Sequence, residues 1–316
     1  MAGMRRFWIG AGLVIAAGLL LSTTDIIANS FWFFAAYVVL QYVVLATAWN
    51  IMGGYMGYVN FGSAGFFAIG AYTAIVLYNL IKAPLLVMIP ISGIVCGLMG
   101  LGMGYLTLRL RGVYFAIGTL ALAVVLETLM VNWDYVGGAT GAYVIRPRTM
   151  EPFGDYVKFL TFVMLVLAVA AVAAARWIER AKFGRGLHAI RDDELAAECT
   201  GIPTLRLKLV ATTLSGFLMG VAGAPFPLYV GYVEPVSAFN LAYAVNAIAM
   251  PMIGGTTMWA GPVIGAVLLG TAQQIANVTI SSELNLLIVG LVLVLFVTLA
   301  PEGIIGLVRK YFGRDR

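Results

Sequence analysis

The chain has 316 residues, 62% of them apolar and only 10% charged, where a soluble domain carries about 45–50% and about 25%. That balance excludes a water-soluble fold. It also excludes a fused soluble enzyme domain, which needs roughly 100 residues of ordinary polar composition. The formal net charge of +5 would suggest nucleic acid as a partner in a soluble protein, but in a membrane protein basic residues collect in cytoplasmic loops, so their placement decides.

A helix needs roughly 20 apolar residues to cross a hydrocarbon core about 30 Å thick. Arg5 and Arg6 precede an apolar run from Phe7 to Leu21. No small-x-small cleavage site follows, so this run reads as an uncleaved first span rather than a signal peptide. In chain order, spans are predicted at 7–26, 31–51, 61–80, 84–107, 113–131, 157–177, 208–230, 239–254, 260–279 and 284–304. The expected fold is therefore an all-α polytopic membrane protein with about ten transmembrane helices, within a range of eight to ten, forming a single domain over 1–316. The third and eighth spans are the irregular ones: Gly53, Gly54 and Gly57 precede the third, and the eighth contains Pro251 and ends at Gly254-Gly255. Breaks of this kind are tolerated where backbone is buried in protein or lines a wet cavity.

Ten spans put both termini on one side. The loops of that side hold Arg5, Arg6, Arg109, Arg111, Arg176, Arg180, Lys182, Arg185, Arg191, Arg206, Lys208, Arg309, Lys310, Arg314 and Arg316, leaving Lys82, Arg146, Arg148 and Lys158 opposite. Both termini are accordingly expected to be cytoplasmic, with the lipid bilayer, and not nucleic acid, as the partner of the basic face. From Leu209 to Val308 there is no Lys or Arg, so orientation there rests on counting spans. Trp32, Trp133 and Trp177 lie near span ends, where an interfacial belt places them.

Two loops stand out. The outer one, 132–156, carries Trp133, Asp134, Gly137, Gly138, Gly141, Pro147 and Pro152, a turn-rich mixture that cannot span; it reads as a periplasmic loop that either connects two helices or docks a partner. The inner one, 178–207, is the longest mixed-charge segment. Within it 187–199 reads as a short helix, with Leu187, Ile190, Leu195 and Ala197 apolar and Asp192, Asp193, Glu194 and Glu198 polar, stopped by Gly201 and Pro203. A solvated connector is the plain reading of such a loop. What raises an alternative is Glu194-x-Ala196-Ala197-x-x-x-Gly201, which resembles the cytoplasmic coupling-loop motif of bacterial ABC importers, whose small residues let the helix press into a cleft of an ATPase subunit.

Polar groups inside spans are costly unless they face the bundle or water. The candidates are Asn50, Asn60, Ser63, Thr119, Glu127, Asn132, Asn246, Gln273, Gln274 and Asn277, with Thr256 in the late glycine cluster. Of these, Asn50, Asn60, Ser63, Glu127, Asn246 and Thr256 are the candidate substrate path. Glu127 is the one acid well inside an apolar run; it either pairs locally or reaches the outer surface, or it serves a gate. Asn60 and Ser63 sit beside Gly62 and Gly65, where close helix packing is the competing explanation. Two cysteines, Cys96 and Cys199, and one histidine, His188, offer no metal site or disulfide framework. No acid/base pair, nucleophile constellation or phosphate-binding loop is visible, so no enzyme activity and no cofactor on this chain are expected.

Four stretches taken together resemble one family: WNIMGGYMGYVNFGSAGFFAIGAY from Trp49, LRLRGVYFAIGTLALA from Leu108, GRGLHAIRDDELAAECTGI from Gly184 and IGGTTMWAGPVIGA from Ile253. They look like the inner-membrane permeases of branched-chain amino acid ABC transporters, in family order. The resemblance implies a bacterial inner-membrane permease that forms the path for leucine, isoleucine or valine. It further implies a second homologous permease, two cytoplasmic ATPase subunits that hydrolyse the ATP, and a periplasmic substrate-binding protein. Glu194, Ala196, Ala197 and Gly201 match the acid, alanines and glycine of the family's coupling motif. Two positions depart from the pattern: Asn60-Phe61-Gly62-Ser63-Ala64 lacks a histidine found in many relatives, and Glu302 stands where relatives often carry a basic residue. Both put the solute in doubt. A permease for urea, short amides or other amino acids is the rival within the class, and an ion-coupled secondary transporter the rival outside it; the latter needs buried acids, and Glu127 alone offers itself.

Overall fold

The computed structural model describes residues 2–24, 29–107, 110, 112–147 and 149–279, with 290, 291, 294, 298 and 303–306 beyond them. The helices are α1 (Ala2–Thr23), α2 (Phe31–Met52), α3 (Ser63–Ile81), α4 (Leu85–Thr107), α5 (Val113–Val131), α6 (Tyr156–Arg180), α7 (Lys182–Asp192), α8 (Glu194–Cys199), α9 (Thr204–Gly223), α10 (Phe226–Val230), α11 (Pro235–Ala238), α12 (Leu241–Gly254) and α13 (Ala260–Thr279). Four two-residue strands, β1 (Ala142–Tyr143), β2 (Thr149–Met150), β3 (Gly154–Asp155) and β4 (Tyr232–Val233), form two small antiparallel pairs, β1 with β4 and β2 with β3.

Among the described residues seven helical segments are long and apolar enough to cross a membrane: α2, α3, α4, α5, α6, α9 with α10, and α11 with α12. The chain is thus an all-α polytopic membrane protein. The predicted first span is a helix whose apolar part, Phe7–Thr23, is shorter than these. The predicted ninth is the 20-residue α13, which carries Thr271, Gln273, Gln274 and Asn277. The predicted tenth, 284–304, falls outside the described residues apart from isolated positions.

The core is built around α2, which packs on α6, α9, α12 and α13, and around the crossing of α4 with α9, the most extensive helix pair. Lipid gives no hydrophobic incentive for helices to associate, so close approach must come from small residues and from hydrogen bonds across the interface. Both are present. Gly93, Gly97 and Gly100 on α4 face Phe217, Thr213 and Thr212 on α9, while Gly216 and Gly220 on α9 face the backbone of Cys96 and Ser92 on α4. Ser215 donates to the Ala48 carbonyl of α2 at 2.8 Å, Thr161 of α6 to the Phe33 carbonyl of α2 at 3.0 Å, and the Cys96 thiol to the Phe66 carbonyl of α3 at 3.2 Å.

Loop 132–155 folds into 3-10 turns and short strands over one end of the bundle. The Tyr78 hydroxyl donates to the Ile145 carbonyl at 3.0 Å, Tyr232 to the Thr140 carbonyl at 2.7 Å, and Arg146 Nη1 to the Tyr229 carbonyl at 2.9 Å. These bonds fasten the loop to α3 and to the chain around α10. The loop is a folded cap on this end of the bundle.

Candidate functional site

At the opposite end α6 runs out at Arg180 and the chain makes a helical hairpin, α7 and α8, before α9 begins. The predicted single helix over 187–199 is two helices. Asp193 is extended (φ −159°, ψ 113°) and breaks the run, and its carboxylate accepts from the backbone N–H of Leu195 (2.9 Å) and Ala196 (3.1 Å). An aspartate satisfies the free N–H groups of a helix start better than it serves a helix interior. The predicted stop is where the sequence puts it. Gly201 has φ +84°, its N–H bonds the Glu198 carbonyl at 2.9 Å, and the Ile202 N–H returns to the Ala197 carbonyl at 3.1 Å. A left-handed residue at this position closes the helix, and glycine adopts it without strain.

On the hairpin Leu187, Ile190 and Ala197 are buried, as their predicted apolar face requires, whereas Leu195 is 58% exposed and Ala196 exposed beside it. Glu194 points the other way. Its Oε1 pairs with Lys208 Nζ at 2.5 Å and its Oε2 accepts from the Tyr58 hydroxyl at 2.6 Å, while Lys208 also donates to the Tyr58 oxygen at 2.7 Å. Lys208, in the second turn of α9, is only 2% exposed and Glu194 15%. The Tyr58 ring lies edge-on to Phe115 of α5 with centroids 5.1 Å apart. Two more bonds fix this end: Arg191 Nη1 donates to the Gly54 carbonyl at 2.7 Å, and Glu179 Oε2 accepts from the Trp259 N–H at 2.8 Å. The hairpin is thereby held to the α2–α3 connection and to α9, and the end of α6 to the α12–α13 turn.

His188 on α7 is half-buried, 5.4 Å from the ring of Tyr55. Burial, and then the neighbouring Arg191 cation, push its pKa below the ordinary 6.5 against the weaker opposing pull of Glu179 and Asp192. The unfolded chain therefore binds the proton more readily than the folded one. The hairpin's stability is complete above about pH 6.5 and declines as pH falls below it. Thermal midpoints of the solubilised protein are expected to fall on acidification, and His188→Gln is expected to flatten that dependence; identical slopes would contradict it.

The six candidate path residues do not form one lining. Asn60 shapes the chain before α3: its Oδ1 accepts from the Gly62 N–H at 2.7 Å, its carbonyl takes the Trp49 indole N–H at 2.9 Å, and the Phe61 N–H reaches the Thr119 hydroxyl at 3.1 Å. Asn50 and Ser63 are buried close by, and their side chains have no hydrogen-bond partner among the described residues. Thr256 lies in the α12–α13 turn, and a Cβ at Gly54 would stand 2.6 Å from its carbonyl. Asn246 is elsewhere, bonded to the Tyr42 hydroxyl of α2 at 3.2 Å and to Gln273 of α13 at 2.8 Å. Glu127 lies half-buried on α5, the least covered of the seven candidate spans. Sequence reasoning missed Tyr58 and Arg191 as parts of the hairpin's setting and counted Lys208 as a loop cation. The usable signal was Lys208 itself, a cation directly abutting the apolar run LVATTLSGFLMG. Among the described residues no group of three His, Cys, Asp or Glu side chains is placed to hold a metal ion.

The family model described as the permease component of the branched-chain amino acid transport system matches residues 31–297. The chain belongs to that permease family. It is 29% identical over 299 residues to the high-affinity branched-chain amino acid transport system permease protein LivM of Salmonella typhimurium, covering 87% of this chain and 70% of that protein. It is 22% identical over 282 residues to LivH of the same organism, covering 84% of this chain and 91% of that protein. A shorter match, 29% over 142 residues, is to the ribose import permease protein RbsC of Bacillus subtilis, covering 43% and 44%. With seven apolar segments among its described residues the chain is a multi-pass permease of the bacterial inner membrane, in a family of transport components rather than of enzymes.

Proposed function

We propose that this permease forms one half of the path by which an ABC importer takes up leucine, isoleucine or valine, its partner being a second, related permease. LivM and LivH are both permease proteins of one named transport system, and the chain resembles both over most of its length. ATP is hydrolysed by two separate cytoplasmic subunits, and a periplasmic binding protein delivers the solute. Ten spans with both termini cytoplasmic make 178–207 the cytoplasmic coupling loop and 132–156 the periplasmic face, in line with the excess of Lys and Arg at the hairpin end.

The observation that carries this reading is the outward face of α8. Leu195 stands 58% exposed on a six-residue helix beside Ala196, at the end where the connections between helices gather. A bulky apolar side chain flanked by a small residue is an anchor for a cleft in a partner. ATP-driven closure of the ATPases moves α7–α8, and the motion passes into α9 and α4, opening the cavity between the two permeases to one side and then the other. Asn50 and Ser63, buried without partners, are the polar groups such an opening would present first to water or solute. Leu195→Asp is expected to cut leucine uptake at least about tenfold, with ATPase subunits no longer co-isolating and the permease still folded, since a hot-spot residue contributes about 2 kcal/mol or more. Full uptake and co-isolation in that variant would refute the docking face.

A further inference from the structure

We propose that Glu194 acts inside the permease and not on the ATPase: with Lys208 and Tyr58 it forms a latch that delivers the displacement of α8 to α9 and to the α2–α3 connection. The inference rests on the coupling reading of α8 but assigns its acidic residue a different task.

Both carboxylate oxygens of Glu194 are engaged inward, one by Lys208 and one by Tyr58, so an incoming subunit meets Leu195 and Ala196 instead. The latch answers a mechanical problem. A six-residue helix is too short to be stable alone, and α8 buries only Ala197. Apolar contact of that size slides; an ion pair with fixed hydrogen-bond directions, 2% and 15% exposed at its two ends, does not. The three groups come from three different places: Glu194 from the first turn of α8, Lys208 from the second turn of α9, and Tyr58 from the connection that starts α3. Tyr58 carries the linkage to α5 through Phe115, and Lys208 lies 4.5 Å from the Tyr58 ring centroid, so neither the lysine nor the tyrosine moves without the other. Since α9 forms the most extensive helix pair with α4 and also packs on α3 and α2, a pull on Lys208 is a pull on the bundle's centre.

Removing Glu194 alone takes from the buried Lys208 the carboxylate it pairs with, which is costly, whereas removing both together is tolerated. This separates coupling from folding. The test uses the complete complex of both permeases and the ATPases in liposomes, measuring radiolabelled leucine moved per ATP hydrolysed and ATPase subunits retained on isolation. Glu194→Leu with Lys208→Met is expected to keep the ATPases bound while leucine moved per ATP falls about tenfold or more, and the exchanged pair Glu194→Lys with Lys208→Glu to recover part of it. Tyr58→Phe keeps the ring and loses the hydroxyl; it is expected to give an intermediate loss with ordinary expression. Unchanged leucine per ATP in the apolar pair and in Tyr58→Phe would overturn the latch. Loss of ATPase retention in Glu194→Gln with retention in Lys208→Met would also overturn it, by making Glu194 an ATPase contact. Failure of the coupling reading itself is separate: it would show as Leu195→Asp leaving both uptake and ATPase retention intact.

Discussion

Gly220→Leu is expected to abolish uptake and strip the membrane of folded protein, because it forces a side chain into the crossing of α4 with α9. A Cβ at 220 would stand 2.5 Å from Cys96 Cβ, 2.6 Å from its sulfur and 2.7 Å from the Ser92 carbonyl, so the side chain is driven into α4. The other neighbour cannot yield either, because the Gly220 backbone already lies against Gly70 of α3. Overpacking a core that can shift costs about 1–3 kcal/mol; here the Ser92 carbonyl and the buried Cys96 side chain block one side while Gly70 backs the other, so the cost lies toward the top of that range. Gly102→Leu is the control. No atom lies within 4 Å of a Cβ there, and the residue is exposed on α4, so leucine is expected to be accepted with little change in size-exclusion profile or thermal midpoint. Equal loss in both variants would mean that α4 tolerates no added volume anywhere and that the crossing with α9 is not the sensitive point.

The second large effect is expected at Asn246. Leucine there deprives Gln273 of the carbonyl it donates to and Tyr42 of the amide that donates to it, all within a bundle where water is scarce. Leaving such a group unsatisfied costs about 1–3 kcal/mol, whereas replacing both partners by apolar groups is nearly neutral. Asn246→Leu should therefore lower the thermal midpoint, and Asn246→Leu with Gln273→Leu should restore much of it. Uptake then separates the two roles open to this residue. If Asn246 is glue between α2, α12 and α13, uptake follows stability and recovers in the double variant. If it meets the solute, uptake stays low in the double variant while the fold is restored.

Hydropathy made the bundle readable because most spans are continuous apolar runs, and α2 to α6 sit within a few residues of their predicted bounds. It fails where a single polar residue changes role. Asp193 reads as part of a helix's polar face, yet it caps a new helix; the chemistry favouring the cap is local, but so is the chemistry favouring a solvated helix, and the surroundings choose. The pairing of Lys208 with Glu194 had no signature at all, since partners 14 residues apart across a turn follow no helical period. Polarity inside spans proved an ambiguous marker for the same reason. In lipid the same side chains that could line a path are also those that bind helices together, and Asn60, Asn246 and Gln273 are engaged in bonds within the protein. Asn50 and Ser63, which the sequence could not set apart from the others, differ only in lacking such bonds.

The span of α9 and α10 joins the two ends of the molecule: Lys208 sits at one end, and the Leu228 and Tyr229 carbonyls, held by Arg146 of the cap, at the other. Under the proposed function one rod is thus gripped by the nucleotide machine below and by the delivery platform above. Thermodynamic reciprocity then fixes a relation that neither end shows alone. Whatever factor nucleotide binding applies to the affinity for the solute carrier, carrier binding must apply to the affinity for nucleotide.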